Sequence, residues 1–476
     1  MSFKRRILTC LSLLLLSAGS ALGAPLIELA PEARADLASG SFKGLEKIEQ
    51  ILETMSTLRA LPVKAPVQVN TLNRQQLEKA LIAQIERDIP PERIAAESDL
   101  YKHLGLLAPD FDYRAFLIAL YTEQIGGYYD PKTRQLRLVK DNLTGLENEM
   151  LIAHELVHAL QDQHFDLQQY LDPEARNDDR TLAQMALIEG DATAAATEFV
   201  QQRLEQKPLS GLLDSFSSLL SAARMSTRFE TFNKAPAFIR ESMLFPYQQG
   251  TQFVSQFRSK GWNWEDMAEL YDRPPACTRH ILHPQDYLNQ IEPIAVSAAL
   301  ENILPQDSLR ARNVLGELGY QQILKHHLDA SQARAAVTGW RGDSYQIYAL
   351  PGSSASVSQN LFVFSSIWQK EAQAASFAKA WQKAQQIRMP ALTPDPQMAG
   401  LYQADRQRRL IWQHKHGVLI LENLPDSASW LKQLRSDWQA QVTAQGSQHL
   451  LSQALRLKPD LLSSSNRHAA IKTSLY

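Results

Sequence analysis

His154-Glu155-Leu156-Val157-His158 is the stretch on which the reading of this chain turns. An α-helix advances about 100° per residue, so two histidines four positions apart stand one turn apart on one face. Two neutral imidazoles placed that way can grip a single metal ion. Glu155 is one step round the helix, within reach of a water on that ion. The flanks agree with a helix. Leu146, Met150, Ala153, Val157 and Leu160 form an apolar stripe from Leu146 to Gln161. No Pro or Gly interrupts the run after Gly145, and Thr144 is suited to cap it.

Zinc in a hydrolytic site takes three protein ligands and keeps one position for water, with the carboxylate of H-E-x-x-H as general base. Two residues compete for the third place. His164 lies ten positions after His154, as in H-E-x-x-H-x-x-G-x-x-H, but Gln161 stands where that pattern needs glycine. Along an unbroken helix His164 is rotated about 280° from His154 and faces elsewhere. Glu189 lies in Leu187-Ile188-Glu189-Gly190-Asp191-Ala192, inside a second helical segment expected from Thr181 to Arg203. A carboxylate among apolar and small residues is better explained by a cation than by solvent. Gly190 lets two helices approach closely. Asp191 or Thr193 is placed to hydrogen-bond the outer nitrogen of a ligand histidine. The residues favour Glu189 over His164.

H-E-L-V-H followed by I-E-G-D-A resembles the gluzincin group of zinc metallopeptidases. Further segments resemble secreted bacterial proteins of this type: Gly126-Gly127-Tyr128-Tyr129-Asp130-Pro131, Ala159 to Asp166, Phe245-Pro246-Tyr247-Gln248-Gln249-Gly250 and Ile281-Leu282-His283-Pro284. The resemblance runs from about residue 70 to the C-terminus. It implies that His154, His158 and Glu189 bind one zinc ion and that Glu155 is catalytic. In such peptidases an edge strand ahead of the H-E-x-x-H helix binds the substrate backbone.

Gly126 to Val139 reads as that unit. Asp130-Pro131-Lys132-Thr133 is a turn between Tyr128-Tyr129 and the alternating Gln135 to Val139. An ordinary hairpin against the helix explains it equally well. A donor to the oxyanion is also required. His283, Tyr247, Tyr128 and Tyr129 are candidates, with His283 the first to test. Glu123, on an apolar helix from Tyr113 to Ile125, reads as a network residue before a site residue.

At 476 residues, 44% hydrophobic and 21% charged, the chain has room for two to three globular domains. Lys4, Arg5 and Arg6, the apolar run Ile7 to Leu16 and Ala21-Leu22-Gly23 read as a secretory signal peptide, giving a mature start at Ala24 and a periplasmic or secreted location. The apolar run is too short to span a bilayer, and no other span is expected. Cys10 leaves with the signal, so Cys277 has no partner for an internal disulfide. Removing three of 49 basic residues moves the net charge from −2 to 46 − 51 = −5. No basic run suggests nucleic acid.

The expected fold is α+β and mostly helical. The H-E-x-x-H helix is packed on a Glu-bearing helix beside a short β-hairpin, with a small α+β domain at the C-terminal end. The expected divisions are 1–23 (signal), 24–70 (N-terminal helical segment), 71–334 (helical zinc-peptidase-like domain), 335–458 (small α+β domain) and 459–476 (loose tail). The C-terminal domain carries no catalytic constellation and is expected to shape access or engage a partner. The expected activity is hydrolysis of a peptide or protein substrate outside the cytoplasm, with one Zn²⁺ per chain. The alternatives are hydrolysis of a cell-envelope amide and a non-catalytic zinc-binding or partner-binding scaffold. Glu155 weighs against the scaffold, because a structural zinc site has no use for a base beside the metal.

Overall fold

The computed structural model of the chain describes residues 25–41, 45–88, 90–124, 126–140, 146–170, 177–204, 230–297, 300, 303–350, 360–404, 407–425 and 429–456. The signal segment with Ala24, Thr144 and Gly145, the helix expected at Ser210 to Ser221 and the tail 459–476 lie outside the described residues. The fold is α+β and mostly helical, with two sheets among the described residues.

The first sheet has the order β1 (Ile27–Leu29), β2 (Val67–Leu72), β4 (Gln135–Val139), β3 (Gly127–Asp130). β2 runs parallel to both of its neighbours, and β3 returns antiparallel on β4 as the expected hairpin. β3 is therefore an edge strand. Helices α1 (Pro31–Ser39) and α2 (Ile48–Arg59) connect β1 to β2. Ile48, Ile51, Leu52 and Met55 form the buried stripe of α2, and Arg59 is buried with them. Helices α3 (Arg74–Asp88), α4 (Pro91–His103) and α5 (Tyr113–Gln124) lead on to β3, α5 within a residue of the span expected from Tyr113 to Ile125.

The molecule's largest core surrounds α6 (Leu146–Phe165) and α7 (Asp178–Arg203). The side chain of Asn177 caps α7 by accepting the Arg180 N–H at 3.0 Å. After α8 (Glu230–Lys234) comes α9 (Ala237–Ser259), which crosses α7 at glycine. A Cβ on Gly190 would lie 2.2 Å from the Gly250 carbonyl carbon, and one on Gly250 would lie 2.0 Å from the Ala186 oxygen. The close approach expected of Gly190 is thus made to α9. Short helices α10 (Glu269–Asp272), α11 (Thr278–Leu282) and α12 (Pro284–Leu288) follow.

The second sheet is antiparallel throughout, in the order β5 (Leu309–Asn313), β6 (Trp340–Ala349), β7 (Asn360–Trp368), β11 (Gly417–Glu422), β10 (Gln407–His414), β9 (Leu401–Ala404), β8 (Thr393–Pro394). Alternate residues serve two cores. Phe362, Phe364, Val418 and Ile420 face α14 (Ala330–Val337), α15 (Glu371–Arg388) and part of α13 (Gly316–His327). Leu361, Val363, Leu419 and Leu421 face α16 (Leu431–Arg456). This sheet starts with β5, upstream of the expected division at 335. β5 is short and alternates Leu309 and Ala311 with arginines, so its sequence signal is weak. Ala96, Leu100 and Leu104, in and just after α4, also enter the core under α14 and α15. No helix among the described residues is long and apolar enough to cross a membrane.

Candidate metal centre

The Nε2 atoms of His154 and His158 stand 3.1 Å apart on one face of α6. Glu189 reaches in from α7, its Oε2 3.1 Å from His154 Nε2 and 3.4 Å from His158 Nε2. Among the described residues these three form the group of His, Cys, Asp or Glu side chains close enough to share a metal ion. Donors around a tetrahedral zinc, with bonds of about 2.0–2.1 Å, lie roughly 3.3 Å apart. The spacing and the two-imidazole, one-carboxylate donor set fit such an ion.

The electrostatics of the cluster are those of a site that holds positive charge. Burial pushes the Glu189 carboxyl up, but the two histidines outweigh it and hold Glu189 well below the usual carboxylate range. Burial pulls the His158 imidazole down, and the Glu189 carboxylate overrides it, taking His158 up to about 9. Glu155 behaves oppositely to Glu189. Burial raises its pKa, with His154 and His158 only partly opposing. Its Oε2 accepts the Tyr129 backbone N–H at 3.0 Å. The carboxylate thus lies against the outer side of β3, the edge strand.

Of the four oxyanion candidates, the fold brings Tyr247 to the cluster. Its ring is 6.2 Å from the His154 ring, centroid to centroid, and it neighbours the Glu189 carboxylate. The neighbouring Glu189 carboxylate and burial keep that hydroxyl protonated. Tyr128 accepts a hydrogen bond from Arg137, and the Tyr129 hydroxyl donates to Asp162 at 2.8 Å. His283, placed first in the sequence reading, follows α11 and pairs with Glu317 on α13 at 2.7 Å. No described contact joins it to the cluster. The His283-Pro284 step indicated a turn or extended segment but carried no information on which helix the imidazole would meet. His164 Nε2 donates to the Pro62 carbonyl at 2.7 Å instead, and α6 runs unbroken to Phe165. Glu123 accepts the backbone N–H groups of Thr231 and Phe232, at the start of α8.

Behind the cluster is a buried network that sequence reading only partly located. His158 Nδ1 lies 2.9 Å from Gln161 Oε1. The Gln161 amide nitrogen donates to Asp191 Oδ2 at 2.9 Å and to the Ile188 carbonyl at 3.1 Å. Arg59, from α2, clamps Asp191 with two bonds of 2.7 and 3.0 Å and donates to the Trp264 carbonyl. The Tyr271 hydroxyl donates to the same Asp191 oxygen at 2.7 Å. Asp191 therefore supports the site through Gln161, whereas direct contact with a ligand histidine was expected. Gln161 is three residues past His158, a spacing that puts the two side chains in reach; that was the signal available for it. His154 Nδ1 is buried without a hydrogen-bond partner.

A family model described as a domain of unknown function (DUF8575) matches residues 305–428, which contain every strand of the second sheet. No curated protein and no solved structure matches the chain. The cluster of His154, His158 and Glu189 lies outside the matched residues.

Proposed function

We propose that the chain is an exported zinc metallopeptidase of gluzincin type, with His154, His158 and Glu189 as the ligands and Glu155 as the general base. The observation that carries this reading is the convergence of three ligand atoms from α6 and α7 beside a buried carboxylate that the cluster does not use. A bound zinc ion would supply Lewis acidity, polarising the scissile carbonyl and acidifying a water. Glu155 takes the proton of that water as its oxygen forms the new C–O bond, then gives it to the amine as the C–N bond breaks. Its raised pKa suits a group that must hold a proton between those steps. Tyr247, neutral at the edge of the cluster, is the donor to the developing oxyanion. A peptide adding to the outer edge of β3 would pass its backbone along Glu155. The basic and apolar residues 4–16, which read as an export signal, support a periplasmic or extracellular setting for this chemistry.

The test is a diverse peptide library incubated with zinc-loaded protein and with Glu155→Gln. The expected result is cleavage by the wild type and none by the variant, with equal zinc content. Absence of cleavage by the zinc-loaded wild type, or equal cleavage by both, overturns the proposal.

A further inference from the structure

Every member of the network behind His158 has its hydrogen-bond direction set. The Asp191 carboxylate can only accept when ionised, and Arg59 can only donate. The Ile188 carbonyl also only accepts. The two donors of the Gln161 amide are therefore committed to Asp191 and Ile188, and its oxygen must face His158 Nδ1. A carbonyl oxygen in that place demands N–H on Nδ1. Gln161, Asp191 and Arg59 are all buried, Gln161 and Arg59 with no exposed surface, so water does not offer an alternative partner.

We propose that Gln161, locked by Asp191 and Arg59, is a positioning residue that sets His158 as its Nδ1–H tautomer and leaves Nε2 as the lone pair for the metal. The proposal rests on the zinc reading above. It makes α2, which the sequence divides from the catalytic unit, part of the metal centre. The control is asymmetric. Among the described residues His154 Nδ1 has no hydrogen-bond partner, so of the two histidines His158 is the one with a preset orientation.

The experiment is zinc affinity by chelator competition, read together with thermal melting of the metal-free chain, on wild type, Gln161→Met and Gln161→Glu. The Met variant keeps the shape and loses the acceptor. Its zinc affinity should fall about 10–100-fold, the usual effect of removing a partner of a ligand histidine. The Glu variant puts a carboxyl oxygen against Asp191 and Ile188, so it keeps at most one of the two donors, but its other oxygen still accepts from His158. It should melt earlier yet bind zinc to within about threefold of the wild type, because the acceptor is retained. If Gln161 were merely structural, affinity would follow melting, and the Glu variant would lose zinc as the less stable of the two. That pattern overturns the proposal, as does a folded Met variant with wild-type affinity. Should the Met variant not fold, the Glu variant alone decides, by whether affinity and melting part company. A wild-type chain that takes up no zinc removes the reading of the site, and this inference with it. A zinc-binding wild type with an indifferent Gln161 removes the inference alone.

Discussion

Glu155 and Glu189 lie against the same two histidines, yet their carboxyl groups are pushed in opposite directions. Glu189 pairs with both imidazoles and stays ionised, which suits the ligand role proposed for it. Glu155 is buried beside them and bonded by one backbone N–H, so its charged form is less favoured. Divergent environments for two nearby acids separate their roles. Glu155→Gln should lower kcat about 10²–10⁴-fold with zinc content unchanged; steady-state kinetics with paired metal analysis checks both. Tyr247→Phe should lower kcat about 10²-fold with a small change in KM if the hydroxyl serves the oxyanion. An unchanged kcat would return Tyr247 to a packing role at Glu189. The H-E-x-x-H pair, Glu155 and Glu189 could be read from spacing, because helical geometry is local. Gln161 is in helical reach of His158, but what locks it, Asp191, lies 30 positions away, and Arg59 is 132 positions from Asp191, so spacing could not report that network.

At the scale of elements, the site depends on two helix junctions. At the first, α7 and α9 touch backbone to backbone, which sets Glu189 and Tyr247 side by side. Gly190→Ala or Gly250→Ala would drive a methyl into backbone, costing about 1–3 kcal/mol or more. A lower urea midpoint with loss of zinc is expected, and a wild-type midpoint would contradict the close crossing. At the second, the start of α7 meets α11 and α13. Asp179 accepts the Thr278 N–H and hydroxyl, and Asp343 accepts the Leu315 and Gly316 N–H groups. Burial raises Asp179 to about 7 and Asp343 to about 6. An acid raised on folding binds more protons in the folded state, so its contribution is most favourable at low pH and is lost as pH rises from about 4 to about 7. Asp179→Asn keeps an acceptor without the charge. Relative to the wild type it should gain stability, on the order of 1 kcal/mol, on going from pH 5 to pH 8. Urea midpoints at the two pH values measure that difference, and an equal offset at both would count against it. The long helices are legible from their 3.6-residue period, and the β3–β4 hairpin from the turn residues Asp130 to Thr133 between its strands. β2 is not, although Val67, Val69 and Thr71 alternate, because the prolines at 62 and 66 read as helix breakers that end the N-terminal helical segment.

Across the whole molecule, the divisions drawn from composition do not isolate the site. The N-terminal segment supplies β1, β2 and α2 to the first sheet and its core, and Arg59 to the network under His158. The C-terminal sheet is tied to α4 through Glu422, which is fully buried. Glu422 pairs with Arg388, Arg409 and His103 and accepts from Trp381 and Gln385. Burial opposes its charge, but the two arginines hold its carboxyl well below the ordinary range. Glu422→Ala leaves two buried guanidinium groups without their carboxylate and should cost about 3–5 kcal/mol in chemical denaturation. Such couplings join residues 103 and 422, a separation that periodicity cannot report. The central claim, a zinc centre made by His154, His158 and Glu189, is tested most directly by metal analysis of the purified chain. It predicts about one zinc per chain in the wild type, loss of that zinc in Glu189→Ala and its retention in His164→Ala. A wild type free of zinc, or a Glu189→Ala chain that keeps its full complement, would contradict it.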